Sequence, residues 1–432
     1  MWKLEGTRGG VAKPRSRTPD AAASVQVYCV NKNHKIRDMS ISDLKHTLRK
    51  YEFPSCAKEA LGKVEQILIG RVGPSTKQID IAMDIISEFV FCDNDRRGGR
   101  RSTGLSHLQQ LQLIDIICDY LSECTNETTK NTVFLSLFGG MESQRRLKIL
   151  CILASMAVSA SSTPVLLAVG VWLQQTGCSS PQSLQLAENI IRDHFFLNTS
   201  NRSSLKSLAN SAPQFVSNFI TAVTELYLND TPGTKQLPPK HLLEIITVWV
   251  YSNPALCTSA QQSAAALPSG AIPMAAVTPL AGLVRWCARA PLHAPPDAEM
   301  VEVIVPIKKI KIEDQSDAII KTPPPTITMT ESELYIKLHL GVLQSLRAGR
   351  RPLSAPTAVS AQHLAALALA LRHSAAAPDV LQECLDRLGQ AVQVALAHGC
   401  VFGNVSSLLA ALEALPASRL LRLVVRQHRQ LV

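Results

Sequence analysis

Aromatic residues make up only 5% of this chain, and charged residues 18%, against the roughly 25% charge of ordinary globular domains. Sheets recruit aromatic and β-branched side chains, so a sequence this poor in aromatics and rich in Leu, Ala and Ile disfavours a β-sandwich. The 46% hydrophobic content excludes a disordered chain. Cysteine is present but unorganised. The eleven cysteines are scattered from Cys29 to Cys400, form no C-x-x-C, and come no closer than Cys118 and Cys124. Neither a disulfide framework nor a structural zinc site is expected. Thiols within apolar helical patterns, such as Cys118, Cys151 and Cys287, read as small core residues in a reducing compartment.

Catalytic signatures are missing too. There is no G-x-x-x-x-G-K-[ST], no G-x-G-x-x-G after a strand, no H-E-x-x-H and no G-x-S-x-G. Residues 93–104 open like a calcium loop with Asp93 and Asp95. However, Arg96 and Arg97 would repel the ion, and Gly104 stands where a bidentate Glu is required. No two histidines are spaced at i,i+3 or i,i+4, and His194 reads as a helix-end residue favoured by the dipole. The expectation is a protein that is not an enzyme, with no cofactor, metal or small-molecule ligand.

Long uninterrupted apolar spans are also absent. The stretch 149–173 carries no charge, but Ser161-Ser162-Thr163-Pro164 places a cap and a proline in its middle. Two buried core helices are expected there rather than one membrane span. The first twenty residues, MWKLEGTRGGVAKPRSRTPD, have no apolar core of the signal-peptide kind.

What the sequence does contain is helical periodicity. Ala57, Ala60, Leu61, Val64 and Leu68 share one face. Ser75 or Thr76 caps a run with Ile79, Met83, Ile86 and Val90 in line, and Leu108, Leu111, Ile114, Cys118 and Leu121 form another stripe. Polar caps followed by proline recur at Thr163-Pro164, Ser180-Pro181 and Thr278-Pro279, and Gly177 is placed to end a helix. No alternating pattern announces a strand. The fold class expected is all-α: an irregular α-solenoid of HEAT- or armadillo-like helical repeats, in two lobes joined by a linker. The expected organisation is a basic, largely disordered tail at 1–38, a helical-repeat domain at 39–291, a Pro-rich charged linker at 292–330 and a C-terminal helical domain at 331–432. Helices in the last domain are expected near 358–373, 378–398, 404–414 and 417–430.

The formal net charge is +10 with a pI near 9.1, and residues 1–50 alone carry +7. That balance permits acidic partners or an indirect nucleic-acid contact. Arg419, Arg422, Arg426 and Arg429 fall at spacings of three, four and three, which aligns them along one face of the last helix. They are the first candidate partner-binding residues. Arg285 and Trp286 form a second candidate, because Trp and Arg anchor interfaces. Candidate modification sites are Lys311, within Ile310-Lys311-Ile312-Glu313, and the proline-directed Thr18 and Thr322.

Several runs together resemble the Integrator complex subunit 15 family. They are ISDLKHTLRKYEFPSCAKEAL at 41–61, LQQLQLIDIICDYL at 108–121 and SMAVSASSTPVLLAVGVWLQ at 155–174. Further along they are TPLAGLVRWCARAPL at 278–292, LYIKLHLGVLQSL at 334–346 and LDRLGQAVQVALAHG at 385–399. The resemblance implies a non-catalytic, α-helical scaffold in the nucleus. It would connect the arm module of subunits ten, thirteen and fourteen to the core of Integrator, in small nuclear RNA 3′-end processing and RNA polymerase II transcription attenuation. The segments 1–38, 255–277, 293–330 and 347–378 lie outside the resembling runs, so no contact is carried onto them, and no ligand-binding residue is carried over. The alternative reading is a helical-repeat RNA-binding protein or a general adaptor outside Integrator. If the Lys311 motif is used, a Lys311→Arg chain expressed in nuclei loses a SUMO-dependent mobility shift on an immunoblot. An unchanged ladder removes the site.

Overall fold

A computed structural model describes residues 41–69, 75–93, 104–139, 143–197, 202–229, 237–257, 279–293, 329–348, 359–416 and 418–429. The expected tail, most of the expected linker and residues 94–103 of the calcium-loop lookalike lie outside them. The chain divides into two compact units, Met1–Gly104 and Leu105–Val432. Helices on both sides of residues 294–328 pack against each other within the second unit.

In the first unit, α1 (Ile41–Leu48) and α2 (Ser55–Leu68) precede α3 (Thr76–Ile85), which runs on as a π turn, Ile86–Val90. The α2 face predicted from periodicity is buried, including Ala57, Ala60 and Val64, and packs on α3 and its π turn. Ser75 closes a capping box with Gln78. The stripe predicted for α3 needs correction. Ile79 is exposed and Met83 half-buried, while Ala82, Ile85, Ile86, Phe89 and Val90 are buried. Ile86 and Val90 are buried as expected; upstream, Ala82 and Ile85 form the inward face in place of Ile79 and Met83.

Helix α1 buries Leu44 and Leu48 and adds ion pairs to α3 and its π turn. Lys45 Nζ lies 3.0 Å from Glu88 Oε2, and the Arg49 guanidinium donates to Glu88 Oε1 at 2.7 Å. Lys45 also pairs with Asp84. Glu88 is buried on the π turn, so its carboxylate depends on these two cations for the solvation it has lost.

The second unit is a succession of packed and crossing helices. These are α4 (His107–Glu123), α5 (Glu127–Phe138), α6 (Gln144–Ala160), α7 (Thr163–Thr176) and α8 (Pro181–Ile191) with a π turn at Arg192–Leu197. Then come α9 (Arg202–Ser211), α10 (Pro213–Leu226), α11 (Lys240–Ser252), α12 (Leu280–Arg289) and α13 (Glu331–Ala348). Last are α14 (Ala361–Arg372), α15 (Pro378–Ala397), α16 (Val405–Glu413) and α17 (Arg419–Arg429), all within a few residues of their predicted bounds. The uncharged run 149–173 is cut between α6 and α7, where Ser161 takes a left-handed conformation. No helix among the described residues is long and apolar enough to cross a membrane.

Contacts run forward through the sequence: α5 on α7, α7 on α10, α10 on α12, α11 on α13, α12 and α13 on α15, and α15 on α17. Three tryptophans pin this order. Trp172 of α7 donates its indole N–H to the Phe138 carbonyl at the end of α5, at 2.9 Å. Trp249 of α11 donates to Leu205 O of α9 at 2.8 Å, and Trp286 of α12 to Tyr227 O at the end of α10 at 3.0 Å. Each indole ties its helix to the one two places earlier. The acceptors at Phe138 and Tyr227 are helix-end carbonyls that lack an intrahelical donor, so each bond satisfies two buried groups at once.

The stripe predicted for α4 holds at Ile114 and Leu121, is half-buried at Cys118 and fails at its start. Leu108 and Leu111 are exposed, and Leu113, Ile114, Ile117 and Leu121 are buried. Two overlapping apolar stripes exist on α4, and packing against α7, rather than spacing, chooses between them. A two-residue parallel bridge, Val359–Ser360 with Val401–Phe402, joins the starts of α14 and α16. It is too short to show a period of two.

Close crossings need glycine. A Cβ at Gly170 would lie 3.0 Å from the Phe215 backbone of α10, and one at Gly282 would collide with the Thr224 side chain, also of α10. Gly62 of α2, by contrast, faces open space. Gly282→Ala should therefore destabilise the fold by about 1–3 kcal/mol. Gly62→Ala should raise stability by about 0.5–1 kcal/mol through helix propensity alone. Thermal unfolding of the two variants checks the opposite signs.

Candidate partner-binding surface

Helix α17 is strongly two-faced. Leu421, Val424 and Val425 are buried, while Arg419, Arg422, Arg426 and Arg429 are exposed. Ser418, buried just before the helix, accepts from Leu421 N and donates to Asp386 of α15 at 3.3 Å, which fixes where the helix begins. Between α16 and α17 lies a cavity of about 570 Å³. Its apolar lining includes Leu412, Leu415 and Val425, and Arg422, Arg426 and Arg429 border it from α17. Of the four aligned arginines, Arg419 does not reach it. Glu413 of α16 pairs with Arg429 at 2.5 Å along the same lining. Arg422 and Arg426 make no ion pair among the described residues.

Glu413 and the apolar floor are not evident from the arginine spacing itself. The available signal is its complement, since apolar residues at 421, 424 and 425 imply a second helix against which a groove can form.

Arg285 and Trp286 are placed differently from the expectation. Trp286 is fully buried between α12 and α10, with Tyr227 edge-on at 6.1 Å between ring centroids. It offers no surface to a partner, because its indole is committed to the helix-end carbonyl. Arg285 donates to Thr224 O and pairs with Glu225 at 3.2 Å, which makes it a cap on α10. Lys311, Thr18 and Thr322 lie outside the described residues.

One constellation has the residue types of a nucleophilic relay. Ser155 of α6 lies beside Asp193 and His194 on the π turn after α8. Its wiring is not that of a relay. Ser155 Oγ donates to Asp193 Oδ2 at 2.8 Å, so the hydroxyl proton points at the carboxylate. His194 Nε2 is 3.1 Å from both the Ser155 carbonyl oxygen and Ser155 Oγ, while Asp193 pairs with the serine rather than with the imidazole, so the Asp–His link of a relay is not made. The remaining nitrogen, Nδ1, is buried without a partner among the described residues. Burial holds the His194 pKa below its ordinary value. Burial also pushes the thiols of Cys178, Cys257 and Cys287 up to about 12, the reverse of what a reactive cysteine needs. No group of three metal-ligating side chains converges among the described residues.

Comparison with known proteins is consistent along the chain. The family model for Integrator complex subunit 15 matches residues 42–417. Integrator complex subunit 15 of Drosophila melanogaster is 34% identical over 419 residues, covering 91% of this chain and 100% of that protein. The Homo sapiens protein of the same name is 31% identical over 405 residues, covering 89% of this chain and 87% of its own length. The Danio rerio protein is 30% identical over 409 residues, covering 89% of this chain and 81% of its own length.

Two buried histidines should make the fold acid-sensitive. Burial lowers the pKa of His194 and of His339, whose Nε2 is 3.0 Å from Gln390 Oε1. The unfolded chain then binds more protons, so their contribution is complete above about pH 6.5 and is lost as the pH falls below it. The melting temperature should drop from pH 7.5 to 5.5, and a His194→Gln/His339→Gln chain should drop less. A parallel fall in both proteins would assign the sensitivity elsewhere.

Proposed function

The chain belongs to the Integrator complex subunit 15 family, and from that premise we propose that it is a non-catalytic scaffold subunit of the nuclear Integrator complex. In this reading it connects the arm module of subunits ten, thirteen and fourteen to the core, in small nuclear RNA 3′-end processing and RNA polymerase II transcription attenuation. The observation that carries the proposal is the family match over residues 42–417, which takes in helices of both compact units. A relative matched over its whole length supports it.

The physical form suits such a role. The helices succeed one another as an irregular α-solenoid would, with α5/α7, α9/α11 and α10/α12 held by the same indole-to-carbonyl device. A stack of this kind contributes by shape: it presents spaced side chains on a frame that does not have to rearrange on binding. Residues 292–330 act in this picture as a connecting segment, and the surface at α16–α17 is the leading contact.

Affinity purification of the tagged chain from nuclei, followed by mass spectrometry, tests the assignment. The expected result is recovery of other Integrator subunits, together with loss of the arm subunits from purified core when this chain is depleted. A purification that recovers none of them overturns it.

A further inference from the structure

We propose that the groove between α16 and α17 is the docking site for an acidic, amphipathic helix of a partner protein. The inference rests on the scaffold reading and gives one of its contacts a chemistry. The groove pairs two features that call for one occupant. Its floor is aliphatic (Leu412, Leu415, Val425) and its volume of about 570 Å³ is in the range of a ligand-sized cleft. One lip carries Arg422, Arg426 and Arg429, at i, i+4 and i+7 along α17. At 1.5 Å rise per residue these guanidiniums are spaced over about 10 Å, two turns of a helix. A partner helix with carboxylates at the same intervals meets all three, while apolar side chains one step around its circumference enter the floor.

The charge balance is one-sided. Helix α17, RLLRLVVRQHR, contains four arginines and no acid. Of the three at the groove, only Arg429 is paired among the described residues, with Glu413, and both side chains are about half exposed. An exposed pair of this kind is worth at most about 1 kcal/mol, so an incoming carboxylate can replace Glu413 at little cost. In the free protein Glu413 thus occupies the position that the partner's acid takes.

A phosphate backbone fits less well. No aromatic side chain lines the groove to stack a base, and an aliphatic floor adds nothing to phosphate binding.

The test uses the full chain and a fluorescein-labelled helical peptide of two to three turns, with Leu on one face and Glu on both flanks, read by fluorescence anisotropy. The wild-type chain should bind it with an affinity that weakens as salt is raised. Arg422→Glu/Arg426→Glu should lose about tenfold or more, with unchanged circular dichroism and melting temperature because both side chains are exposed. Glu413→Gln should tighten binding by up to about fivefold by releasing Arg429. A peptide with Gln in place of Glu should fail to bind. Absence of binding, or binding indifferent to these three changes, overturns the proposal. So does a single-stranded RNA that binds as well as the peptide and is lost with the same arginine reversal. Because the peptide assay needs no Integrator subunit, a failure here with other subunits still recovered from nuclei removes the groove and leaves the scaffold reading in place.

Discussion

Burying a tryptophan in a helical core creates an obligation: the indole N–H has left water and must find an acceptor. In this protein Trp172, Trp249 and Trp286 meet it in one way, by reaching back to a carbonyl of the helix two positions earlier. The acceptors at Phe138 and Tyr227 are themselves in need of donors, since the last carbonyls of a helix have none of their own. A satisfied bond of this type contributes about 1 kcal/mol net, but leaving either group unpaired costs about 1–3 kcal/mol. The pins therefore act less by adding stability than by penalising every other arrangement of the helices. Arg387 of α15 extends the theme, donating to Cys287 O of α12 at 3.0 Å.

Close approach makes the pinned order tight. Gly170 and Gly282 let α10 come closer to α7 and α12 than a side chain permits, and Asn218 of α10 donates to the Gly170 carbonyl at 2.7 Å across the first of these crossings. With backbones this near, the helices cannot slide without breaking polar bonds and creating clashes together. Rigidity follows from that coupling. Such rigidity suits the proposed scaffold role, since a partner that binds a preorganised surface does not bear the entropy of ordering it. The groove at α16–α17 lies on the last pair of helices, where the exposed face of α17 is free to carry uncompensated positive charge.

Much of this is legible in the residues. The α2 face, the cap at Ser180 before Pro181, the break at Ser161–Pro164 and the bounds of α14 to α17 all follow from period and punctuation, whereas Thr163 is the first residue of α7 rather than its cap. What stays hidden shares one cause: it depends on what a residue meets, not on its neighbours in sequence. On α3 the inward face passes through Ala82 and Ile85 rather than Ile79 and Met83, and α4 has two apolar faces between which only the contact with α7 can choose. Trp286 reads as an interface anchor because indole is suited to both roles, and only the position of Tyr227 O decides between them. The arginine row is visible from spacing. That Arg419 stands apart from the other three, and that Glu413 waits beside Arg429, requires the second helix.

The central claim is that the three indole bonds hold the helices as one cooperative stack. Hydrogen exchange at the indole N–H groups of Trp172, Trp249 and Trp286, followed by NMR in rising urea, tests it most directly. The account predicts that all three are protected in water and that their exchange free energies converge on one value as the denaturant rises. Rapid exchange of any of the three under native conditions, or three unrelated opening energies, would contradict it.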